Sequence, residues 1–113
     1  RRRTIQLLID GHLPIEHRCW DETRAVRFVA RLARETGLHI IAGPFSARWR
    51  NKVQALAIIA ESHVSIEVDT ASGEAHVDVF SCRRLPPAVA RAIFEELRPK
   101  PWRLRMLPRG ELA

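Results

Sequence analysis

The sequence has only two cysteines, Cys19 and Cys82, which are too few for a disulfide framework. They do not form a C-x-x-C pair, and the histidines lack the spacing of metal ligands. No apolar run approaches the roughly 20 residues of a membrane helix, and no segment is typical of a secretion signal. From these absences we expect no metal site, no membrane association and a cytoplasmic location.

Charge of one sign dominates, since the net charge is +6. Such an excess favours anionic partners, including nucleic acid. The basic residues are dispersed, however, and a dispersed pattern is typical of a solvated surface. Phe45 and Trp49, beside the basic segment 48–52, could stack on bases, cover an adenine-sized pocket or lie at the edge of the core. Nucleic-acid binding therefore stays a minor hypothesis.

The 113 residues suit one domain, 1–113, and the 46% apolar content is ordinary for a globular protein. Periodicity predicts the order β-α-β-β-β-β-α-β. The predicted elements are strand Thr4–Asp10, a helix capped by Asp21 or Thr23 and ending at Gly37, strands Leu38–Ala42, Val53–Ala60, His63–Asp69 and Ala75–Cys82, a helix opening at Pro86-Pro87, and a strand from Trp102. The expected fold class is α+β, an antiparallel sheet with two helices packed on one face.

Three details of this prediction concern the irregular parts of the chain. Gly43-Pro44 is expected to end a strand and leave Phe45 and Trp49 in a loop. The nearly continuous apolar run of Val53–Ala60 indicates burial on both faces. Thr70–Glu74 is expected to form a hairpin turn, and Arg109–Ala113 a loose tail.

The triplet Glu61-Ser62-His63 lies between two strand-like runs, where a turn would normally contain Gly, Asn or Pro. Twenty residues after Ser62 comes Cys82, in the pattern Asp78-x-Phe80-x-Cys82. Together these two motifs resemble the self-cleavage site of the S-adenosylmethionine decarboxylase family, a group of pyruvoyl enzymes. The resemblance covers most of the chain and is best from Gly37 to Cys82.

The resemblance implies a function and a cofactor. Ser62 would be the precursor of a pyruvoyl group, formed by cleavage between Glu61 and Ser62, and Cys82 would be the proton donor. A pyruvoyl group accepts electrons through an imine to the substrate amine, as pyridoxal phosphate does elsewhere. The expected activity is decarboxylation of S-adenosylmethionine for polyamine synthesis. The family stacks the sheets of two protomers, so the chain is expected to form a homodimer.

Further site residues follow from the resemblance and from pocket chemistry. Asp10 matches a family position that is often acidic and faces the site. Phe45 or Trp49 could contact the sulfonium of the substrate. Glu67 stands at the position of the family's processing histidine, and a carboxylate there could still move protons. Asp69 completes the predicted set of substrate-binding residues.

The chain also departs from the family pattern. Gln54 replaces a serine, Arg83 replaces a glycine, and Asp69-Thr70-Ala71 replaces a Trp-Pro-Glu whose glutamate holds the ribose hydroxyls. Two alternatives therefore stay open. One is an uncleaved relative with a binding or regulatory role. The other is a decarboxylase of a basic amino acid, such as arginine or ornithine, bound by Glu67 and Asp69.

Overall fold

The computed structural model describes residues 4–60 and 62–110. Within these ranges the chain forms six strands and two α-helices, in the order that the sequence predicts. The elements are β1 (Thr4–His12), α1 (Glu22–Glu35), β2 (Ile40–Trp49), β3 (Lys52–Ile59), β4 (Ser62–Asp69), β5 (Glu74–Ser81), α2 (Pro87–Glu95) and β6 (Trp102–Arg109). A short 3₁₀ turn, Ile15–His17, lies in the segment between β1 and α1.

The strands form one antiparallel sheet in the order β2-β3-β4-β5-β1-β6. Strands β2 to β5 follow each other as hairpins, while β1 and β6 add to the free edge of β5. Strands β2 and β6 are therefore the edges of the sheet. The predicted fold class, an antiparallel sheet with two helices on one face, is confirmed.

Helix α1 begins where the sequence predicts, because the Asp21 carboxylate accepts a hydrogen bond from the backbone N–H of Arg24 at 2.7 Å. Its apolar residues recur at helical spacing and are buried over β2, β3 and β4. The buried positions are Ala25, Val29, Leu32 and Ala33. Past its end Gly37 has a φ of +78°, a conformation that glycine adopts without steric cost.

Helix α2 packs beside β1 and β6 through Phe94, which is fully buried. The Phe94 ring lies 5.6 Å from the ring of Trp102, centroid to centroid. A Cβ atom on Gly11 would lie 2.8 Å from the Phe94 ring and 2.9 Å from Cβ of Trp102, so the helix approaches the strand closely only because residue 11 is glycine. Truncating Phe94 to alanine is expected to cost about 3–5 kcal/mol.

The core lies between the helices and one face of the sheet. Alternate residues of the central strands are buried there, including Val53, Ala55, Ala57 and Ile59 of β3. The residues between them are exposed, with Leu56 at 40% and Ile58 at 42%. The prediction that Val53–Ala60 is buried on both faces is therefore wrong for one copy of the chain. We call the uncovered side of the sheet the open face.

Strand β2 is longer than predicted, because Gly43-Pro44 does not end it. Gly43 has a φ of +88°, and the pairing with β3 shifts register between Ala42 and Phe45. This irregularity absorbs the proline, which lacks an N–H donor but is tolerated in an edge strand. The prediction that Phe45 and Trp49 lie in a loop is thus wrong. Both belong to β2 and lie on the open face, opposite Leu56 and Lys52.

The end of the chain is likewise more regular than predicted. Strand β6 continues to Arg109, which pairs with Thr4 of β1. The prediction of a loose tail is therefore wrong for Arg109, and residues 111–113 lie outside the described part of the chain.

Candidate functional site

Ser62 is the first residue of β4, and its backbone is strained. Its φ of +147° lies in a region that residues with a side chain rarely adopt. Its side chain is half-buried. Strain of this kind persists only where the surrounding structure enforces it, and it is often found at functional sites. The other residue of the predicted cleavage site, Glu61, lies outside the described residues.

The hydroxyl of Ser62 contacts the imidazole of the next residue. Ser62 Oγ lies 3.4 Å from Nδ1 of His63. With the ring proton on Nε2, Nδ1 is an acceptor and the hydroxyl donates to it. The His63 ring in turn packs against the ring of Phe80, with centroids 5.6 Å apart. A nucleophile, an imidazole and an aromatic support thus lie together at this end of β4.

Strand pairing brings Cys82 to the same place. Ser62 is the direct partner of Ser81 in the β4–β5 ladder, and Cys82 is the next residue along the chain. Ser81 is fully buried, and its hydroxyl accepts a hydrogen bond from the backbone N–H of Arg83 at 3.0 Å. The Cys82 side chain is half-buried. The two residues that the sequence paired over a distance of twenty positions are therefore neighbours.

A polar network supports Phe80 from β1, which is adjacent to β5, and from β6, which lies beyond β1. The Gln6 amide donates to both carboxylate oxygens of Asp78, at 3.0 and 3.1 Å. The Gln6 carbonyl oxygen accepts from Arg109 at 2.6 Å. This bond holds the guanidinium over the Phe80 ring, 5.3 Å from its centroid. The last residue of β6 is thereby connected to the surroundings of Ser62.

Glu67 does not lie near Ser62 in the same copy of the chain. The two residues are five positions apart on β4, which is roughly 17 Å in a strand. The Glu67 carboxylate forms an ion pair with Lys52 at 3.4 Å. Its partner in the β3–β4 ladder is Gln54, which also departs from the family pattern.

Asp69 has a structural role in the turn between β4 and β5. One of its carboxylate oxygens accepts hydrogen bonds from the backbone N–H groups of Ala71 and Ser72, at 2.9 and 3.0 Å. These bonds, from Ser72 most strongly, lower the pKa of the Asp69 carboxyl. Gly73 completes the turn with a φ of +85°, so the predicted hairpin turn is confirmed.

Asp10 also lies at the end of the sheet remote from Ser62. It pairs with His76, which is the partner of Glu67, whereas Ser62 is aligned with Ile5. The Asp10 carboxylate lies 2.8 Å from Nδ1 of His76 and 3.4 Å from Arg105. A cavity of about 400 Å³ opens beside it. The expectation that Asp10 faces the Ser62 site therefore does not hold within one copy.

The aromatic candidates, Phe45 and Trp49, are solvent-exposed and lie away from Ser62. Phe45 is 58% exposed and Trp49 is 68% exposed, both on the open face of β2. Trp49 is aligned with Lys52 and Asp69, at the same end of the sheet as Glu67. The described chain thus has two separate groups of predicted residues. Ser62 and Cys82 form one group, and the other contains Asp10, Trp49, Glu67 and Asp69.

Comparison with known proteins bears on this arrangement. The family model described as S-adenosylmethionine decarboxylase matches residues 5–110. The chain belongs to the S-adenosylmethionine decarboxylase family.

Two curated relatives and one solved structure agree with this assignment. The S-adenosylmethionine decarboxylase proenzyme of Prochlorococcus marinus (strain MIT 9211) is 42% identical over 59 residues, covering 50% of this chain and 48% of the relative. The proenzyme of Parasynechococcus marenigrum (strain WH8102) is 37% identical over 82 residues, covering 71% and 62%. The matched regions thus span about half of the first relative and less than two thirds of the second.

The structural match concerns the fold. The adenosylmethionine decarboxylase from Aquifex aeolicus VF5 superposes with a TM-score of 0.78 at 22% identity. The match covers 100% of this chain and 95% of that one. The six-stranded sheet with two helices is therefore the fold of a solved S-adenosylmethionine decarboxylase.

Some features of this family member were missed by sequence reasoning. His63 was recognised only as part of a motif, and the roles of Gln6 and Arg109 were not foreseen. The signal for His63 was available, because alternation from the turn at residues 70–73 places His63 opposite Phe80.

Metal and membrane features can be checked for the same part of the chain. Among residues 4–60 and 62–110, no group of three or more His, Cys, Asp or Glu side chains could hold a metal ion. No helix in these ranges is both long and apolar enough to span a bilayer.

Proposed function

We propose that this chain is a pyruvoyl-dependent decarboxylase that acts on S-adenosylmethionine and matures by cleavage between Glu61 and Ser62. The observation that carries the proposal is the backbone of Ser62, with its φ of +147° at the start of β4. A strained serine that precedes a histidine and aligns beside a cysteine fits a site of self-cleavage. Decarboxylated S-adenosylmethionine would serve polyamine synthesis.

The residues around Ser62 fit the group that the family derives from its serine. A pyruvoyl group there would supply an electron sink for the electrons left when CO₂ departs. Cys82 would return a proton to the substrate carbon, since it directly follows Ser81, the residue that pairs with Ser62. Phe80 and His63 would cover one side of the site and limit the access of water.

A second copy of the chain would complete the site. The open face exposes several large apolar side chains, and monomers rarely leave such a patch uncovered. They are Phe45, Trp49, Leu56, Ile58 and Leu107, each at least 39% exposed. A second open face is the partner that fits this surface, because a symmetric dimer pairs a patch with itself.

The geometry of such a dimer would unite the two groups of candidate residues. The two-fold axis would lie between the stacked sheets, parallel to them and perpendicular to the strands, near Leu56 and Ser65. This axis preserves the order of the strands and exchanges their ends. Glu67 of one copy would then lie over Ser62 of the other, although the two are roughly 17 Å apart within a chain. We propose this arrangement for the homodimer.

The contacts of the carboxylates favour S-adenosylmethionine over a basic amino acid. Glu67 already pairs with Lys52, and Asp69 is bonded to the turn. A guanidinium or a second amine would have to compete with these contacts within the chain. The exposed rings of Phe45 and Trp49 could instead contact a sulfonium by a cation–π interaction. Ala71 has no polar side chain for the ribose, so weak nucleoside affinity is expected.

One observation favours a second candidate function, that of a non-catalytic relative. Lys52 neutralises Glu67, and Gln54 lies opposite it, so neither position offers the processing group of the family. An uncleaved chain would act by binding, for example to an active homologue. This alternative predicts a chain that remains intact.

Intact-mass measurement separates the two candidates. The proposed enzyme gives two fragments, 1–61 and 62–113, whose summed mass equals that of the chain plus water minus ammonia. Cyanoborohydride with an amine then adds to the second fragment only. Release of CO₂ is compared for carboxyl-labelled S-adenosylmethionine, arginine and ornithine. An uncut chain without an adduct contradicts the proposal, and turnover of arginine or ornithine alone contradicts the substrate assignment.

A further inference from the structure

The contact between Ser62 and His63 is unusual for consecutive residues of a strand. In a regular strand such side chains point to opposite faces of the sheet. Here Oγ of Ser62 and Nδ1 of His63 are 3.4 Å apart. The φ of +147° at Ser62 departs from strand geometry at that residue, and this departure allows the hydroxyl to approach the ring.

The imidazole is held in place by its neighbours on the open face. His63 pairs with Ile58 on one side and with Phe80 on the other. The Phe80 ring is in turn covered by the Arg109 guanidinium, 5.3 Å from its centroid. Gln6 fixes Arg109 through a 2.6 Å hydrogen bond. An imidazole so supported keeps its orientation toward the hydroxyl, which a general base requires.

We infer that His63 is the general base that activates Ser62 for self-cleavage, an inference that rests on the proposed function. Glu67, at the position of the family's processing histidine, is roughly 17 Å from Ser62 in the same copy. His63, one residue from the nucleophile and 3.4 Å from its hydroxyl, then serves the first step without the Glu67 that a second copy would supply. A replacement at residue 67 would not prevent that step.

Nδ1 of His63 takes the proton of the Ser62 hydroxyl, and Oγ bonds to the carbonyl carbon of Glu61. The bond between that carbon and the Ser62 nitrogen breaks, and the imidazolium returns the proton to the nitrogen. An ester replaces the amide, with no change in mass. Loss of the Ser62 Cα proton and cleavage of the Cβ–O bond then free the Glu61 carboxylate, and water replaces the nitrogen, which leaves as ammonia.

Ester formation can be measured apart from the later steps with hydroxylamine, which cuts an ester but not an amide. The variant is His63→Gln, which keeps a hydrogen-bonding group of similar size and has no basic nitrogen. We expect its cleavage to be at least about 100-fold slower than that of the parent, both with and without hydroxylamine. His17→Gln, the same substitution in the 3₁₀ turn Ile15–His17, is the matched control, and we expect it to be cut at the parental rate.

A second variant guards against a loss of folding. His63→Ala leaves space for free imidazole, and added imidazole should restore cleavage if the missing group is a base. Circular dichroism and melting temperature are recorded for all variants. Restoration by imidazole would not occur if His63 served only to pack against Phe80.

The possible results separate this inference from the proposed function. His63 is supported as the base if the parent chain is cleaved while the His63→Gln variant is cleaved slowly and is not cut by hydroxylamine. Fast cleavage of His63→Gln overturns the inference and leaves the proposed function intact. A His63→Gln chain that only hydroxylamine can cut would assign His63 to a step after the ester, which also overturns it. A parent chain that hydroxylamine leaves whole defeats the proposed function itself.

Discussion

The carboxylate of Glu67 lies 3.4 Å from the ammonium of Lys52, at the end of β4 that is remote from Ser62. The residue expected to assist processing is thus ion-paired within its own chain and out of reach of the serine. The distance agrees with a role for Glu67 in a second copy, where the exchange of strand ends would bring it over Ser62. It also explains why contacts within one chain do not complete the site.

Mixing two inactive variants tests whether the site is shared between copies. Ser62→Ala cannot form the ester, and Glu67→Gln is expected to stop after ester formation. In a mixed dimer, the Ser62 of the Glu67→Gln chain faces an intact Glu67. Random pairing of equal amounts places roughly half of the Glu67→Gln chains in mixed dimers. We therefore expect about half of these chains to be cut, as measured by intact mass after co-expression.

The control for this experiment is each variant expressed alone, which should remain uncut. Cleavage of Glu67→Gln alone would show that Glu67 is dispensable. Failure of the mixture to cut, with mixed dimers verified by differently tagged chains, would contradict the shared site.

The dimer itself is tested at Leu56, which lies near the proposed two-fold axis. It is 40% exposed in one copy, so a lysine there need not disturb the core. In the stacked dimer two ammonium groups would meet in a desolvated interface, which is strongly unfavourable. We expect Leu56→Lys to sediment as a monomer at micromolar concentration. Ala92→Lys, on the exposed side of α2, is the control and should leave the dimer unchanged.

The fold follows from the sequence where local patterns decide it. The alternation of apolar and polar residues correctly predicted β4 and β5. Apolar residues at helical spacing, together with Asp21 as the N-cap, correctly predicted α1. The bulge at Gly43-Pro44 was misread, because a proline usually ends a strand and only the position of β2 at the edge tolerates it. The prediction for the second face of β3 was also wrong, since a run of apolar residues does not reveal whether both faces are covered within one chain.

The candidate site is predictable only in part, for a different reason. Ser62 and Cys82 were paired by motif, and the register of one hairpin is enough to bring them together. The support that Gln6 and Arg109 give to Phe80 depends on pairing between the first strand and the last, over a separation of about one hundred residues. No local pattern carries that information, and it requires the complete sheet.

Stability toward acid is expected to depend on the ion pair that joins the two helices. Arg31 donates to both carboxylate oxygens of Glu96, at 2.6 and 2.7 Å, and these bonds lower the pKa of the Glu96 carboxyl. A carboxyl whose pKa is lower in the folded state stabilises the fold above its unfolded pKa. That contribution is lost as the pH falls through the folded pKa.

Glu96→Gln should therefore melt below the parent at neutral pH, and the difference should shrink as the pH falls below the ordinary glutamate pKa of about 4.3 and through the lower pKa of the folded state. The effect will be small, because the pair is exposed. Glu95→Gln is the control, since no ion pair of Glu95 is found among the described residues. A melting difference that grows on acidification would contradict the assigned role of Arg31.

Replacement of Cys82 should separate maturation from turnover. The proposed mechanism uses the thiol only after CO₂ has left, so Cys82→Ala should still be cut between Glu61 and Ser62. Without a proton donor beside the substrate carbon, sustained turnover should fall by about 10²- to 10⁴-fold. Intact mass measures the cut fraction, and CO₂ release from carboxyl-labelled S-adenosylmethionine measures turnover.

Cys19→Ala, which changes an exposed thiol on the loop before α1, should leave both unchanged. If Cys82→Ala stays uncut, the thiol takes part in maturation instead. If it is cut and turns over at the parental rate, another group donates the proton.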